Sequence, residues 1–123
     1  IYPTAIGWDK QDSPEEQLRQ KEAWITVQRG HSVANNLPLV AINRVGKEID
    51  PSGQTNGIQF WGHSFICGNQ GEFLAQDNHQ EECLITATID LNRTEQIRRI
   101  WPYFRDRRID AYQGLEERYL ADK

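Results

Sequence analysis

No stretch of this chain approaches the roughly 20 consecutive apolar residues needed to span a bilayer, and it does not open with a charged-then-apolar leader. A membrane role is therefore not expected. Methionine is absent altogether. An initiator methionine is not normally removed ahead of a bulky residue such as Ile1, so residue 1 is expected to lie inside a longer polypeptide. Cysteine is scarce. Cys67 and Cys83 are too few for a disulfide framework and form no CxxC pair, which points to reduced thiols and a cytoplasmic setting. A basic surface is missing as well: acidic groups outnumber basic ones 18 to 14, the formal net charge is -4, and Asp106 interrupts the one basic cluster, Arg105 to Arg108. Affinity for nucleic acid comes mainly from clustered Lys and Arg neutralising phosphates, so no nucleic-acid partner is expected.

What is present is the composition of a soluble globular domain, with 37% hydrophobic and 26% charged residues in 123 positions, a length that suits one core. Ile1 and Tyr2 read as the end of a strand closed by Pro3, with a loop following through Asp12. Ser13-Pro14-Glu15-Glu16 is a helix start: a serine cap, proline in the first turn, and Glu three residues after the cap. Trp24, Val27, His31 and Ala34 recur at helical spacing and predict one buried stripe, which Pro38 stops. Leu39 to Val45 predicts a buried strand. Gly46 to Gly57, with Pro51 and two further turn-forming positions, predicts an exposed hairpin excursion leading to a strand over Ile58 to Trp61. Ser64 to Cys67 and Glu72 to Gln76 flank Gly68-Asn69-Gln70-Gly71 and predict an antiparallel hairpin. Cys83 to Ile89 predicts another strand. Asp90 caps a short helix expected to bury Ile97, Ile100 and Trp101 before Pro102 ends it. Residues 103–123 read as a C-terminal tail, extended, with a last amphipathic turn near Leu115 to Leu120. The class is α/β, or α+β by some definitions.

Four stretches, taken together and in order, carry a resemblance. They are Tyr2-Pro3-Thr4-Ala5-Ile6-Gly7; Gly30-His31 with Ala34-Asn35, Pro38 and Ala41-Ile42-Asn43-Arg44; Gly62-His63-Ser64-Phe65-Ile66 with Gly71-Glu72; and Trp101 with Phe104-Arg105-Asp106-Arg107-Arg108 and Tyr112. The chain resembles the second half of carbon-nitrogen hydrolases of the nitrilase superfamily, and its first and last stretches resemble the N-carbamoylputrescine amidase branch. The resemblance implies half of an αββα sandwich with mixed β-sheets, so that residues 1–123 form an incomplete domain. It also implies the reaction of the parent protein: hydrolysis of N-carbamoylputrescine to putrescine, carbon dioxide and ammonia in polyamine biosynthesis. Cys would be the nucleophile, Glu the general base, and Lys the group that stabilises the tetrahedral intermediate. No cofactor is implied.

The three catalytic positions of that pattern fall upstream of Ile1, so this chain is expected to be inactive by itself. Cys67 at a strand end and Cys83 at a strand start match no nucleophile context, and each is expected to be a small buried hydrophobe. Lys10, Lys21, Lys47 and Lys123 lie in polar surroundings and are expected to be solvated. A metal site among His31, His63 and His79 is not expected. On a strand, His63 and Cys67 would lie roughly 13 Å apart at about 3.3 Å per residue, too far for shared ligation.

A putrescine derivative presents a primary ammonium, for which a carboxylate at the pocket mouth is the simplest partner. The resemblance puts an acidic residue at Asp9, and Ala5, Ile6 and Trp8 can wall the tetramethylene chain. Taken alone, Asp9 is also an ordinary loop carboxylate and Trp8 a rim aromatic; Asp12 is a second candidate. Arg105 to Arg108 is expected to pair with carboxylates and fix the tail, against another subunit if the protein is a homo-oligomer. The expected partners are thus a small carbamoylated amine, the missing N-terminal half and a second copy. Two alternatives stay open: another linear amidase or carbamoylase with a different tail specificity, and a non-catalytic assembly module.

Overall fold

The computed structural model describes residues 1–77 and 81–118. A four-stranded sheet contains β1 (Tyr2–Thr4), β3 (Leu39–Asn43), β6 (Phe65–Cys67) and β7 (Phe73–Gln76), in that spatial order. β1 and β3 run parallel, which requires a crossover, and the 22-residue helix α1 (Pro14–Asn35) provides it. The β3–β6 and β6–β7 pairs are antiparallel, the latter with a register shift between Ile66 and Cys67. A second sheet, all antiparallel, orders β2 (Gly7–Trp8), β5 (Ile58–Trp61) and β4 (Val45–Glu48). The chain is a mixed α/β fold.

α1 begins as its sequence predicts, with Ser13 Oγ accepting the Glu16 amide at 3.2 Å and Pro14 in the first turn. It ends at Asn36, which adopts left-handed φ/ψ of 48° and 49°, a conformation that Asn tolerates better than most residues. Its buried face differs from the predicted one. Ile25, Gln28 and Ser32 are buried and Trp24 is half-buried, whereas Val27, His31 and Ala34 are exposed. The face turned inward is partly polar because it satisfies the β6–β7 turn: Ser32 Oγ lies 2.6 Å from the Gly68 carbonyl oxygen and 2.7 Å from that of Leu37. A hydroxyl has one proton, so the two carbonyls share it. Apolar periodicity could not reveal a stripe built around such a bond.

On the helix-facing side of the larger sheet, Leu39, Ala41, Phe65 and Cys67 pack with Ile25 and Trp24 to form the core. An aromatic series extends from it: Phe73 to Phe65 at 5.4 Å between centroids, Phe65 to Trp24 at 6.0 Å, Trp24 to Trp61 at 6.1 Å, and Trp61 to Trp8 at 4.8 Å. These tilted and edge-on geometries suit the aromatic quadrupole. The series ties the smaller sheet to the core.

Several other expectations are corrected. The loop after Pro3 contains a short strand, β2. The strand predicted from Leu39 to Val45 is two strands in different sheets, divided at Arg44. Cys83 to Ile89 pairs with no strand among the described residues; Ile85 and Ala87 are half-buried and the rest of the segment is exposed. Cys83 itself is exposed, against the expectation of burial. In α2 (Leu91–Ile100) the Asp90 cap forms, its Oδ1 accepting from Asn92 N and Arg93 N, yet the buried residue is Thr94. Ile97 is half-buried, and Ile100 and Trp101 are 66% and 42% exposed. α2 makes polar contacts to the end of α1, where Asn36 Nδ2 donates to the Trp101 carbonyl at 2.6 Å and Arg98 Nε to the Asn36 carbonyl at 3.1 Å, and to the β6–β7 turn, where Arg93 donates to Gln70 Oε1 at 2.6 Å. From Tyr103 the chain makes turns and one 3₁₀ turn, Ile109–Ala111. The last turn predicted near Leu115 to Leu120 falls partly outside the described residues.

Candidate functional site

Ala5, Ile6, Trp8 and Asp9 all line one cleft of about 760 Å³, whose other lining includes Lys10, Gln11 and the β4–β5 loop from Gln54 to Ile58. The near wall is set by local structure. Gly7 pairs with Phe60, and a Cβ on Gly7 would lie 2.4 Å from the Gln59 carbonyl oxygen, so only glycine permits this approach of β2 to β5. Trp8, half-buried, spends one side on Trp61. Asp9 is exposed at the rim. Its Oδ1 accepts from Gln11 N at 2.9 Å, and its carbonyl oxygen accepts from Gln17 Nε2 at 2.9 Å and Asp12 N at 3.3 Å. Asp12 is instead turned into the helix, its Oδ2 accepting from Gln20 Nε2 at 2.7 Å. The structure therefore brings Asp9 and its three apolar neighbours together and gives Asp12 other work.

The far wall depends on Asp50. Its carboxylate accepts from Ser52 Oγ, Ser52 N, Thr55 N and Thr55 Oγ1 at 2.7 to 2.9 Å, and these bonds, the Ser52 hydroxyl foremost, hold its carboxyl far below the usual carboxylate range. Gly57 follows at φ +73°, packed so closely that a Cβ would sit 1.9 Å from the Glu48 carbonyl oxygen. Sequence reasoning did not place this wall. Asp50-Pro51-Ser52-Gly53 is a turn signal, but nothing local says that the turn faces Asp9.

Asn43 was also missed as a site residue. It is buried at the end of β3, and its side chain holds Ile6 at both backbone positions. In the sequence it closes the apolar run Leu39 to Ile42 and stands in Ala41-Ile42-Asn43-Arg44, part of the resemblance, but neither signal assigns it a role in the site.

The remaining titratable groups offer little chemistry here. Cys67 is buried, and desolvation pushes its thiol up, away from the nucleophilic thiolate. Lys10 and Lys47 are exposed; Lys21, expected to be solvated, is instead half-buried and lies 3.2 Å from Glu22. His63 precedes β6 with φ +58° and does not share a strand with Cys67. His79 and Lys123 lie outside the described residues. Among the described residues no group of three or more His, Cys, Asp or Glu could hold a metal ion, and no helix is long and apolar enough to cross a membrane. The tail arginines pair locally, Arg105 with Asp106 at 2.7 Å and Arg108 with Asp110 at 2.5 Å, while Arg107 lies over Phe104.

Comparisons with known proteins bear on this geometry. A family model described as carbon-nitrogen hydrolase matches residues 1–99. The N-carbamoylputrescine amidase of Solanum tuberosum is 44% identical over 116 residues, 94% of this chain and 38% of that protein. The citrullinase of Francisella tularensis is 33% identical over 119 residues, 97% of this chain and 40% of that protein. The crystal structure of a carbon-nitrogen hydrolase from Helicobacter pylori G27 matches with TM-score 0.89 and 56% identity, covering 95% of this chain and 40% of that one. The chain thus spans about two-fifths of the length of these relatives. By the extent of the family match and the agreement of fold, this chain belongs to the carbon-nitrogen hydrolase family.

Proposed function

We propose that this chain is the substrate-loop portion of a longer cytoplasmic amidase that hydrolyses N-carbamoylputrescine, releasing putrescine, carbon dioxide and ammonia. The observation that carries the proposal is the convergence of Asp9, Ala5, Ile6 and Trp8 on one cleft. A carboxylate at the rim suits a primary ammonium, and an apolar wall suits a tetramethylene chain. The identity to N-carbamoylputrescine amidases supports the same substrate. The cleft binds and orients; the nucleophile, base and lysine that cleave the C–N bond come from the remainder of the protein, and the chain by itself is inactive.

The similarity to a citrullinase favours a second reading, in which the amine tail carries a carboxylate as well as an ammonium. Lys10, also on the cleft, would then meet the carboxylate. Ammonia release by the full-length enzyme from N-carbamoylputrescine, from citrulline and from an uncharged N-alkylurea separates these readings. Preference for N-carbamoylputrescine is expected. Preference for citrulline would transfer the assignment to the second reading, and preference for the uncharged urea would remove the ionic contact from both.

A further inference from the structure

We propose that Asn43 is the positioning residue for the substrate-facing wall, acting through the backbone of Ile6; the inference rests on the amine-binding reading of the cleft. β1 ends at Thr4 and β2 begins at Gly7, so Ala5 and Ile6 lie between two ladders and belong to neither. Both line the cleft. The side chain of Asn43 closes the gap as a strand would: Oδ1 accepts the Ile6 amide at 3.0 Å, and Nδ2 donates to the Ile6 carbonyl at 3.0 Å.

The rest of the carboxamide is occupied as well. Oδ1 also accepts from Thr4 Oγ1 at 3.1 Å, and Nδ2 donates to the Gly62 carbonyl at 2.9 Å. Both donors are thereby used, and Oδ1 takes the Ile6 amide together with a share of the Thr4 hydroxyl proton, which also reaches the Ile42 carbonyl at 3.1 Å; the residue is 6% exposed. Aspartate in the same shape would lose both donors and bury a charge; alanine would strip the Ile6 amide of its acceptor and leave the Ile6 carbonyl only the Trp61 N–H at 3.4 Å. The backbone of Asn43 is fixed separately, its N–H donating to Ser64 Oγ at 3.0 Å while that hydroxyl lies 3.2 Å from the Asn43 carbonyl. Ser64 therefore supports the same place in the fold without holding Ile6.

This division supplies the test. In the full-length enzyme with N-carbamoylputrescine, Asn43→Ala is expected to raise KM about tenfold while kcat changes less than about threefold, as loss of a binding surface rather than of reacting groups. Ser64→Ala, which also removes part-buried hydrogen bonds here, is expected to leave KM within about twofold. Equal rises in KM for the two variants would show a general loss of local order and overturn the proposal, as would a fall in kcat at constant KM. If Asn43→Ala does not fold, Asn43→Asp carries the same test, with an unchanged KM as the overturning result. Amide exchange at Ile6 needs no substrate. Its N–H is expected to exchange slowly in the native protein and in Ser64→Ala, and at the rate of an open loop amide once Asn43 is alanine, whereas Asn43→Asp, which keeps an oxygen to accept that N–H, should retain the protection. If Ile6 is unprotected in the native protein, the positioning role fails. If Ile6 is protected and N-carbamoylputrescine is not turned over, the substrate assignment fails instead.

Discussion

The ring of Trp8 lies 4.8 Å from that of Trp61, tilted by 55°. A residue at the cleft is thereby fixed to one that is 3% exposed, and Trp61 in turn meets Trp24 on α1. The wall of the cleft is thus continuous with the core. Order at the rim costs less on binding when the side chain is already held.

Trp61→Ala should therefore destabilise the folded protein by about 3–5 kcal/mol and disturb the cleft, because it opens a cavity beneath Trp8. Trp8→Ala should cost less, since Trp8 is half-buried. Trp61→Phe should be milder than either, as it keeps a ring and deletes a buried Nε1 donor that has no hydrogen-bond partner among the described residues. Urea midpoints of the three variants check the order. A Trp61→Ala protein as stable as the native one would contradict the packing described.

The glycines give a pair of opposite expectations. Gly30 lies in the interior of α1, and a Cβ there meets nothing within 4 Å, so Gly30→Ala should stabilise by about 0.5–1 kcal/mol. Gly57 has φ +73° and no room against Glu48, so Gly57→Ala should destabilise by about 2 kcal/mol or more and displace the far wall. Thermal unfolding of both variants decides the signs. Two losses of equal size would mean that α1 or the loop is built differently.

What the sequence made legible follows from the range of the forces involved. Ser13 and Asp90 announce their helices because a cap acts within three residues, and Gly68 to Gly71 announces its hairpin for the same reason. Asp9 and its apolar neighbours are contiguous, so their common cleft could be anticipated from the resemblance. Ser32 could not be placed, because its bond to Gly68 spans 36 residues and turns a polar helix face inward. Asn43 and the Asp50 loop were hidden for the same reason: each acquires its role only when a distant segment arrives opposite it. Cys83 to Ile89 did not become a strand, since a ladder needs a partner that local pattern does not specify.

Asp50 gives a pH expectation. Its folded-state carboxyl is depressed, so the folded form binds the proton more weakly than the unfolded form. The associated stabilisation of the loop is fully present above the unfolded value and is lost as pH falls through the lower, folded one. The amide shifts of Ser52 and Thr55 should therefore stay constant down to about pH 3, where a carboxylate of ordinary pKa near 3.9 is mostly protonated. A transition in those shifts near ~pH 4 would show that the four hydrogen bonds do not hold the charge.

The central claim is that Asp9 receives the cationic end of the substrate, and Asp9→Asn in the full-length enzyme tests it most directly. The carboxamide keeps the shape and an acceptor for Gln11 N but loses the charge. The variant should weaken kcat/KM for N-carbamoylputrescine by about 1.5–3 kcal/mol, on the order of tenfold to a hundredfold, chiefly through KM. An uncharged N-alkylurea of the same length should be affected far less. A selective loss for the cation is the predicted result; equal losses for both substrates, or none for either, would contradict it.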